Sequence, residues 1–469
     1  METKNKFPTR YYFALLIALL LTILFWYLLF ASASIYQHPQ LHTTNLERQR
    51  YFDEPEFDQY QDHLPNEIGQ VNEIDTTKIE IDSLSGRTIV SNLINVAVKN
   101  QSVPLKTFLL DLLKRVDTAD YKIVYADSII NRVQLEVDPD TIANFKIKLR
   151  QRLNNYDLLV WDEVLFENSF NESKLNNATY SWYLNAINAQ QAWSISTGNS
   201  DVIVAVIDNG FDINHPELKD KSVKPYNVVL HNNNVSPISV NHGTHVAATI
   251  IGKSDNNVGL VGIAPKCTFM PIKVSDQNGH MTNTYIIDGI LYAIKNKASV
   301  INISLGMAIS PYFQISESQQ QNYINTQGKD EEDFWDELFK YANERNVTCV
   351  IAAGNSHIMA GYDPFQRSKY TIKVGAFDKR FQKADFSNYG EYVNIYAPGV
   401  SIYSAKPNAD FEFLDGTSMA SPIVAGSIAL LKSKYRSISN TEIIARLTRS
   451  SKLINGIKII DASKLLNER

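Results

Sequence analysis

Gly416-Thr417-Ser418-Met419-Ala420-Ser421-Pro422 sets one hydroxyl between a glycine turn and the start of an apolar helix. From Ser418 to Leu431 nearly every residue is small or apolar, among them Ala420, Ile423, Val424, Ala425, Ile428, Ala429 and Leu430. Such a stretch predicts a helix buried on most sides, with Pro422 in its first turn, where a missing N–H costs little. A serine at the positive end of a buried helix exposes its oxygen at the helix mouth, and its own N–H is turned to an anion. A lone serine there reads as an ordinary N-cap. The company Ser418 keeps changes that reading.

Val202-Ile203-Val204-Ala205-Val206-Ile207 is a β-branched run that predicts a strand buried on both faces, and it ends in Asp208-Asn209-Gly210. An acid there lies at the carboxyl edge of a parallel sheet, the usual edge for a site. His242-Gly243-Thr244-His245-Val246-Ala247-Ala248 opens a second small-residue helix with an imidazole at its start. Thr348-Cys349-Val350-Ile351-Ala352-Ala353-Gly354-Asn355 is another buried strand, ending in a side-chain amide at the same edge. Base, orienting acid, nucleophile and oxyanion donor are then all present. Taken singly, each has a plainer reading as a cap, a turn residue or a surface histidine.

With these residues in this order, the chain resembles the subtilisin-like serine proteases. The resemblance is carried by Asp208 in VIVAVIDNG, His242 in NHGTHVA, Asn355 in AAGN and Ser418 in GTSMASP. It extends to His215-Pro216-Glu217-Leu218, Gly262-Ile263-Ala264-Pro265, Ser304-Leu305-Gly306 and Ala397-Pro398-Gly399, and runs from Trp182 to Ala462. It implies that Ser418 attacks a peptide carbonyl while His242 takes its proton and Asp208 holds the imidazole. The Asn355 amide and the Ser418 N–H would bind the oxyanion. His245, His215 and Asp212 are expected to be structural.

The same resemblance puts Ser304, Leu305 and Gly306 beside a bound peptide, with the stretch from Ser275 to Met281, including Gly279, as the opposite wall. An extended substrate would pair between them as an added strand. Ser275 and Asn283 are more polar than the apolar pocket expected there. Glu217 matches an aspartate calcium ligand of some relatives, and Asp255-Asn256-Asn257 falls at their calcium loop. The chemistry requires no cofactor; a structural calcium is the one metal the resemblance admits.

The chain has 469 residues, 44% hydrophobic and 20% charged, enough for two or three globular domains. Its net charge of −5 gives no reason to expect a nucleic-acid partner. Cys267 and Cys349 both lie in apolar runs and read as buried packing thiols rather than a disulfide.

Residues 1–34 carry a charge-free apolar run from Tyr11 to Phe30 behind Lys4, Lys6 and Arg10. As a helix that run is about 30 Å long, enough to span a bilayer. Its length favours a retained anchor over a cleaved signal, while Ala31-Ser32-Ala33 supplies a signal-peptidase site. Either way the basic flank stays inside and the remainder is extracytoplasmic, secreted if the chain is cut after Ala33.

Residues 35–78 read as a polar linker. From 79 to 167 the pattern is βαββαβ: a strand at Ile89 to Val98, and a helix face at Leu105, Leu109, Leu112 and Val116. Two strands follow between Tyr121 and Val137, then a helix opened by Asp138-Pro139, and a last strand from Tyr156. This makes a small α+β ferredoxin-like domain. Its position resembles that of the family's inhibitory propeptide, which makes it a partner of the enzyme it precedes.

Self-cleavage is expected within the linker 168–180, between Asn168 and Ala178. Residues 181–469 then form an α/β catalytic domain with a doubly wound parallel sheet. The polar segment from Met307 to Glu332 departs from the family and reads as an exposed insertion. The reading is an extracytoplasmic serine endopeptidase acting on peptides or proteins, made as a zymogen. Two rivals use the same scaffold: a peptide ligase or cyclase, and a catalytically dead binding module, against which the complete set of four residues argues. General degradation and maturation of one dedicated precursor both remain open.

Overall fold

The computed structural model describes residues 52, 55–65, 68–99, 103–168, 171–172, 180–238, 242–254, 261–310 and 313–468. The expected membrane or signal segment, with its apolar run at 11–30, and the linker as far as residue 51 lie outside them. Of the described residues, 52, 55–61 and 68 form a small unit of their own, in which the rings of Phe52 and Phe57 meet edge to face at 5.5 Å.

In the second unit, β1 (Ile79–Ile81) pairs antiparallel with β2 (Thr88–Val98). Then come α1 (Leu105–Arg115), β3 (Lys122–Asp127), β4 (Arg132–Glu136), α2 (Ile142–Arg152) and β5 (Leu158–Glu167). The strands lie in the order β5-β2-β4-β3, all antiparallel, so the βαββαβ order is realised as a curled sheet. Leu105, Phe108, Leu109 and Leu112 of α1 are buried, at the spacing of one helix face. One boundary differs from the sequence reading. Asp138 does not cap a helix beginning at Pro139; its carboxylate takes the Asp140 N–H at 2.9 Å and its carbonyl the Thr141 N–H at 3.0 Å, closing a turn, and α2 starts after Thr141.

After β6 (Asn171–Glu172), α3 (Trp182–Ala186) and α4 (Ala189–Trp193), the chain enters β7 (Ile203–Asp208), β8 (Tyr226–Asn227), α5 (His242–Ile251) and β9 (Thr268–Lys273). It continues through β10 (Met281–Thr282), α6 (Asn283–Lys295), β11 (Val300–Ile303), β12 (Gly306–Met307), α7 (Glu317–Thr326), α8 (Lys329–Glu344) and β13 (Thr348–Ala352). The last part holds β14 (Thr371–Phe377), β15 (Ile395–Pro398), β16 (Ile402–Lys406), β17 (Asp410–Asp415), α9 (Thr417–Lys434), α10 (Asn440–Ser450), β18 (Lys452–Ile454), β19 (Ile457–Ile459) and α11 (Ala462–Asn467).

Nine of these strands form one sheet in the order β18-β19-β15-β14-β13-β11-β7-β9-β8. Every neighbouring pair is parallel except β18 with β19, so the expected parallel sheet is mixed at one edge. Alternation along β7 sends Val204 and Val206 into a core with α5 and α9, and Ala205 and Ile207 into a second core with α6 and α8. The chain leaves β7 for β9 on one side and returns to β11 on the other. The carboxyl ends of β7 and β11 therefore flank the reversal of strand order, where open α/β sheets build their sites.

The segment expected to be an exposed insertion is not a loop. It forms β12, α7 and the start of α8, and α7 opens with a capping box between Ser316 and Gln319. Much of α7 is exposed, and the end of the segment docks. Arg87, in the bend before β2, forms a buried pair with Glu331 of α8 at 2.8 Å, Asp330 takes the Val160 N–H at 3.1 Å and pairs with Arg150, and Trp161 stacks on Phe334 with centroids 4.3 Å apart.

Candidate active site

Asp208 ends β7, and His242 opens α5. Both side chains are fully buried, with Nδ1 of His242 2.8 and 3.0 Å from the two Asp208 carboxylate oxygens. A carboxylate only accepts, so Nδ1 carries the proton and Nε2 is the basic nitrogen. The Asn209 N–H donates to Asp208 Oδ1 at 2.8 Å, and the Asn209 amide oxygen takes the Gly243 N–H at 3.2 Å, which ties the start of α5 to the end of β7. Asn209 was not singled out in the sequence, although it sits in the quoted Asp-Asn-Gly.

Ser418 is the second residue of α9, preceded by Gly416. Pro422 lies one turn further in than expected, inside the helix rather than in its first turn. Its missing N–H is the one that would bond the Ser418 carbonyl. Ser304, just past β11, supplies the substitute: its hydroxyl donates to that carbonyl at 2.9 Å, and Ser418 Oγ donates in return to the Ser304 carbonyl at 2.9 Å. Asn302 closes the ring, giving its amide N–H to Ser304 Oγ at 2.9 Å and accepting from Ser421 at 2.8 Å. All four residues are fully buried. Asn302 and Ser421 were legible only as part of their motifs.

Asn355 follows β13. Its amide oxygen accepts from the Thr417 N–H at 2.9 Å and the Thr417 hydroxyl at 2.7 Å, and that hydroxyl also accepts the Gly354 N–H at 3.1 Å. With the oxygen fixed beside Thr417, the amide's donor end faces away from that turn. Asp208, Ser304 and Asn355 thus sit at or just beyond the carboxyl ends of three adjacent parallel strands, β7, β11 and β13, each about 4.8 Å from the next. At this edge Asp208 holds His242, Ser304 holds Ser418, and Asn355 holds Thr417.

The remaining histidines of the motifs are structural. His245 Nε2 donates to the Ile402 carbonyl at 3.0 Å, and burial, with His242 nearby, drives its pKa down to about 3. His215 Nε2 meets the Asp410 carbonyl at 3.1 Å and Nδ1 accepts the Glu217 N–H at 3.1 Å; burial lowers its pKa too.

The expected peptide walls are occupied. The end of β5 lies between β10 and β12, antiparallel to both, with Phe166 opposite Met281 and Met307 and Glu167 opposite Gly306. Phe166 is buried edge-on against Phe365 at 5.4 Å, in one cluster with Met281, Tyr285 and Leu305. Gly279 itself lies in the turn from Asp276 to His280, with φ +91°, and the pairing is made by Met281 and Thr282 instead. Ser275 does not make the wall polar, because its hydroxyl turns back to the Asn209 carbonyl at 2.8 Å. Asn283 begins α6, where the Thr284 N–H is capped by Glu163 of β5 at 3.0 Å. Further on, β6 pairs antiparallel with β17, Asn171 opposite Asp415 and Glu172 opposite Leu414.

Glu217 is fully buried beside Tyr183, whose hydroxyl pKa is raised by burial and by that carboxylate. Among the described residues no group of three or more His, Cys, Asp or Glu could hold a metal ion. The Asp255-Asn256-Asn257 stretch lies outside those residues. Cys267 and Cys349 are both buried free thiols. Among the described residues no helix is long and apolar enough to cross a membrane.

The chain is similar to known serine proteinases over its catalytic-motif region. The model of the Subtilase family matches residues 199–463. The thermophilic serine proteinase of Bacillus sp. (strain AK1) is 34% identical over 307 residues, 65% of this chain and 70% of that protein. Thermitase of Thermoactinomyces vulgaris is 36% identical over 255 residues, 54% of this chain and 82% of that protein. Subtilisin E of Bacillus subtilis (strain 168) is 35% identical over 255 residues, 53% of this chain and 60% of that protein.

Proposed function

The chain belongs to the subtilase family of serine peptidases, and from that premise we propose that it is an extracytoplasmic endopeptidase made as a self-processing zymogen. Ser418 Oγ attacks the carbonyl of a bound peptide, and His242 Nε2 takes its proton. Because the hydroxyl is donated to the Ser304 carbonyl, a rotation about χ1 precedes the transfer. The Asp208 carboxylate holds the Nδ1–H tautomer and offsets the charge of the imidazolium. The oxyanion is received by the Asn355 Nδ2 and the Ser418 N–H, the latter one of the first-turn donors that a helix leaves unbonded. As the C–N bond breaks, the imidazolium returns the proton to the leaving amine, and water then cleaves the acyl-enzyme with His242 as base.

The observation that carries the zymogen reading is the path of residues 158–172. The domain 79–167 is the inhibitory propeptide, and its last strand fills the peptide cleft, ending at Glu167 opposite Gly306. The chain pairs again at Asn171 opposite Asp415, three residues before Ser418. The bond to be cut then lies between Glu167 and Asn171, at the N-terminal end of the linker 168–180. Ser418→Ala should leave the full-length precursor whole, while the native chain yields a new N-terminus at residue 168, 169, 170 or 171 by mass spectrometry. A Ser418→Ala chain that is still processed would remove self-cleavage from the proposal.

The apolar run at 11–30 with its basic flank supports delivery across a membrane, and the cut would part the enzyme from that run. Protease protection of the catalytic region in right-side-out vesicles would contradict that placement.

A further inference from the structure

The hairpin of β16 and β17 is not used by the chemistry. Its strands are antiparallel, with Ile402 opposite Leu414, Tyr403 opposite Phe413 and Ala405 opposite Phe411. Alternation buries Leu414 and leaves Tyr403, Phe411 and Phe413 half-exposed on the other face. The three rings form one patch: Tyr403 and Phe413 are 4.8 Å apart, and Tyr403 stacks on Phe411 at 5.5 Å. His215, anchored on the Asp410 carbonyl, backs Phe411 edge-on at 5.3 Å, so the patch is held from behind. Single exposed aromatics need no explanation, but a braced cluster beside a strand that another chain segment pairs with does.

Two contacts show what the patch accepts. The edge of β17 nearest Ser418 takes β6 as an antiparallel strand, so a polypeptide leaving the cleft past Asp415 runs back along β17 towards Phe413. In antiparallel pairing, directly opposed residues share a face of the sheet, with Cβ atoms about 4.5–5.5 Å apart. The residue two positions after the one opposite Asp415 therefore lies beside Phe413, on the face that also carries Tyr403. The second contact is with an aromatic ring. Tyr180, itself 59% exposed, stacks on Phe413 at 5.6 Å and meets Tyr403 edge-on at 4.6 Å.

We propose that the β16–β17 hairpin is a subsite for the leaving half of a protein substrate. β17 takes the residues after the cut bond as an added strand, and Tyr403, Phe411 and Phe413 take an aromatic side chain from them, displacing Tyr180. This rests on the serine-peptidase reading of the same site and adds to it a preference on the leaving side. Substrates are then extended polypeptides with an aromatic residue a few positions beyond the cut, and short chromogenic esters and anilides are poor stand-ins for them.

The test uses the self-processed native enzyme and a set of internally quenched peptides that share one acyl half and carry a single Trp at each of the first five positions after the cut bond, on an otherwise Ala and Ser background. Each kcat/KM is divided by that of a nitroanilide with the same acyl half, which has no leaving residues. The expected result is a peak of about tenfold at one position. In Phe413→Ala and Tyr403→Ala the peak falls to the level of its neighbours. Phe413→Leu, which keeps apolar bulk, serves where truncation lowers the yield of folded enzyme, and it too loses most of the peak. A flat scan in the native enzyme, or a peak that survives Phe413→Ala and Phe413→Leu, overturns the subsite. Loss of nitroanilide turnover in the native enzyme would instead strike at the peptidase reading beneath it.

Discussion

The docking of the N-terminal domain on α8 is open to a quantitative test at Arg87. One guanidinium nitrogen lies 2.9 and 2.8 Å from the two Glu331 oxygens, with 7% of Arg87 and 2% of Glu331 exposed. Asp363 lies close enough to feel both charges, and burial pushes its pKa up to about 7 against the pull of Arg87. Removing the guanidinium alone, as in Arg87→Gln, leaves Glu331 and Asp363 facing each other in a dry site. Breaking a buried pair by removing one partner costs about 3–5 kcal/mol. That is a weakening of about 10² to 10³ or more in the hold on the cleaved domain.

Glu331→Gln should cost less, about 1–3 kcal/mol, because Asp363, relieved of a neighbouring negative charge, ionises and pairs with Arg87 in its place. Lys99 and Asp333, 2.7 Å apart but 43% and 42% exposed, form a pair worth about 0–1 kcal/mol, so Asp333→Asn is the control. The assay is size-exclusion chromatography of the self-processed chain, following the fraction of N-terminal fragment that co-elutes, together with the lag before peptidase activity appears. The expected order of release is Arg87→Gln, then Glu331→Gln, then Asp333→Asn close to native. Equal retention of the fragment in Arg87→Gln and native chains would refute the argument.

Asn355→Ala should cut kcat by about 10² to 10³ with little change in KM, the loss that removal of one oxyanion-hole amide causes in subtilisin; a variant within threefold of native would dismiss the amide as an oxyanion donor. The grip on the N-terminal domain should also weaken as pH rises. Asp288 of α6 faces Arg132 at 3.9 Å, the Tyr125 hydroxyl, Asp127 and Glu163, and burial raises its pKa to about 8. Once the domains part, water returns Asp288 to the ordinary carboxylate range near 3.9. The complex therefore holds a proton that the separated parts release, so affinity is greatest below about pH 4 and is lost as pH climbs through about 8, by up to about tenfold per unit. Co-elution at pH 5, 7 and 9 should show that fall, and Asp288→Asn should flatten it.

The fold was legible where its signals are local. The run from Val202 to Ile207 announces a strand buried on both faces because both its alternate sets are apolar, and the structure sends one set into each core. The βαββαβ order of residues 79–167 could be read for the same reason, since each element carries its own periodicity. Asp138-Pro139 misled because an aspartate two residues ahead of a free N–H closes a turn as readily as it caps a helix. The segment from Met307 to Glu332 reads as an exposed insertion, and much of α7 is exposed, but that reading misses its helices, although Ser316 and Gln319 have the spacing of a capping box and Asp330, Glu331 and Glu332 load a first helical turn.

No local pattern could have told that the end of this segment meets the N-terminal strands. Arg87 and Glu331 are 244 residues apart in sequence, and Arg150 and Asp330 are 180 apart. Each charge alone looks like a solvated surface group; Arg87 and Glu331 are taken out of water by their pairing, while Arg150 and Asp330 stay half-exposed. The motif residues differ in kind, because Ser418 is constrained from within its own helix. Pro422 takes away the donor that the Ser418 carbonyl would receive in any ordinary helix, and Ser304 and Asn302 restore it from the end of β11. The proline thus makes the nucleophile's backbone depend on the strand that leads into the peptide wall at Gly306. A shift of β11 against α9 would disturb the nucleophile and the substrate edge together. Gly306 is in turn paired with Glu167, so the last strand of the N-terminal region is tied through β12 to the strand that holds the ring around Ser418.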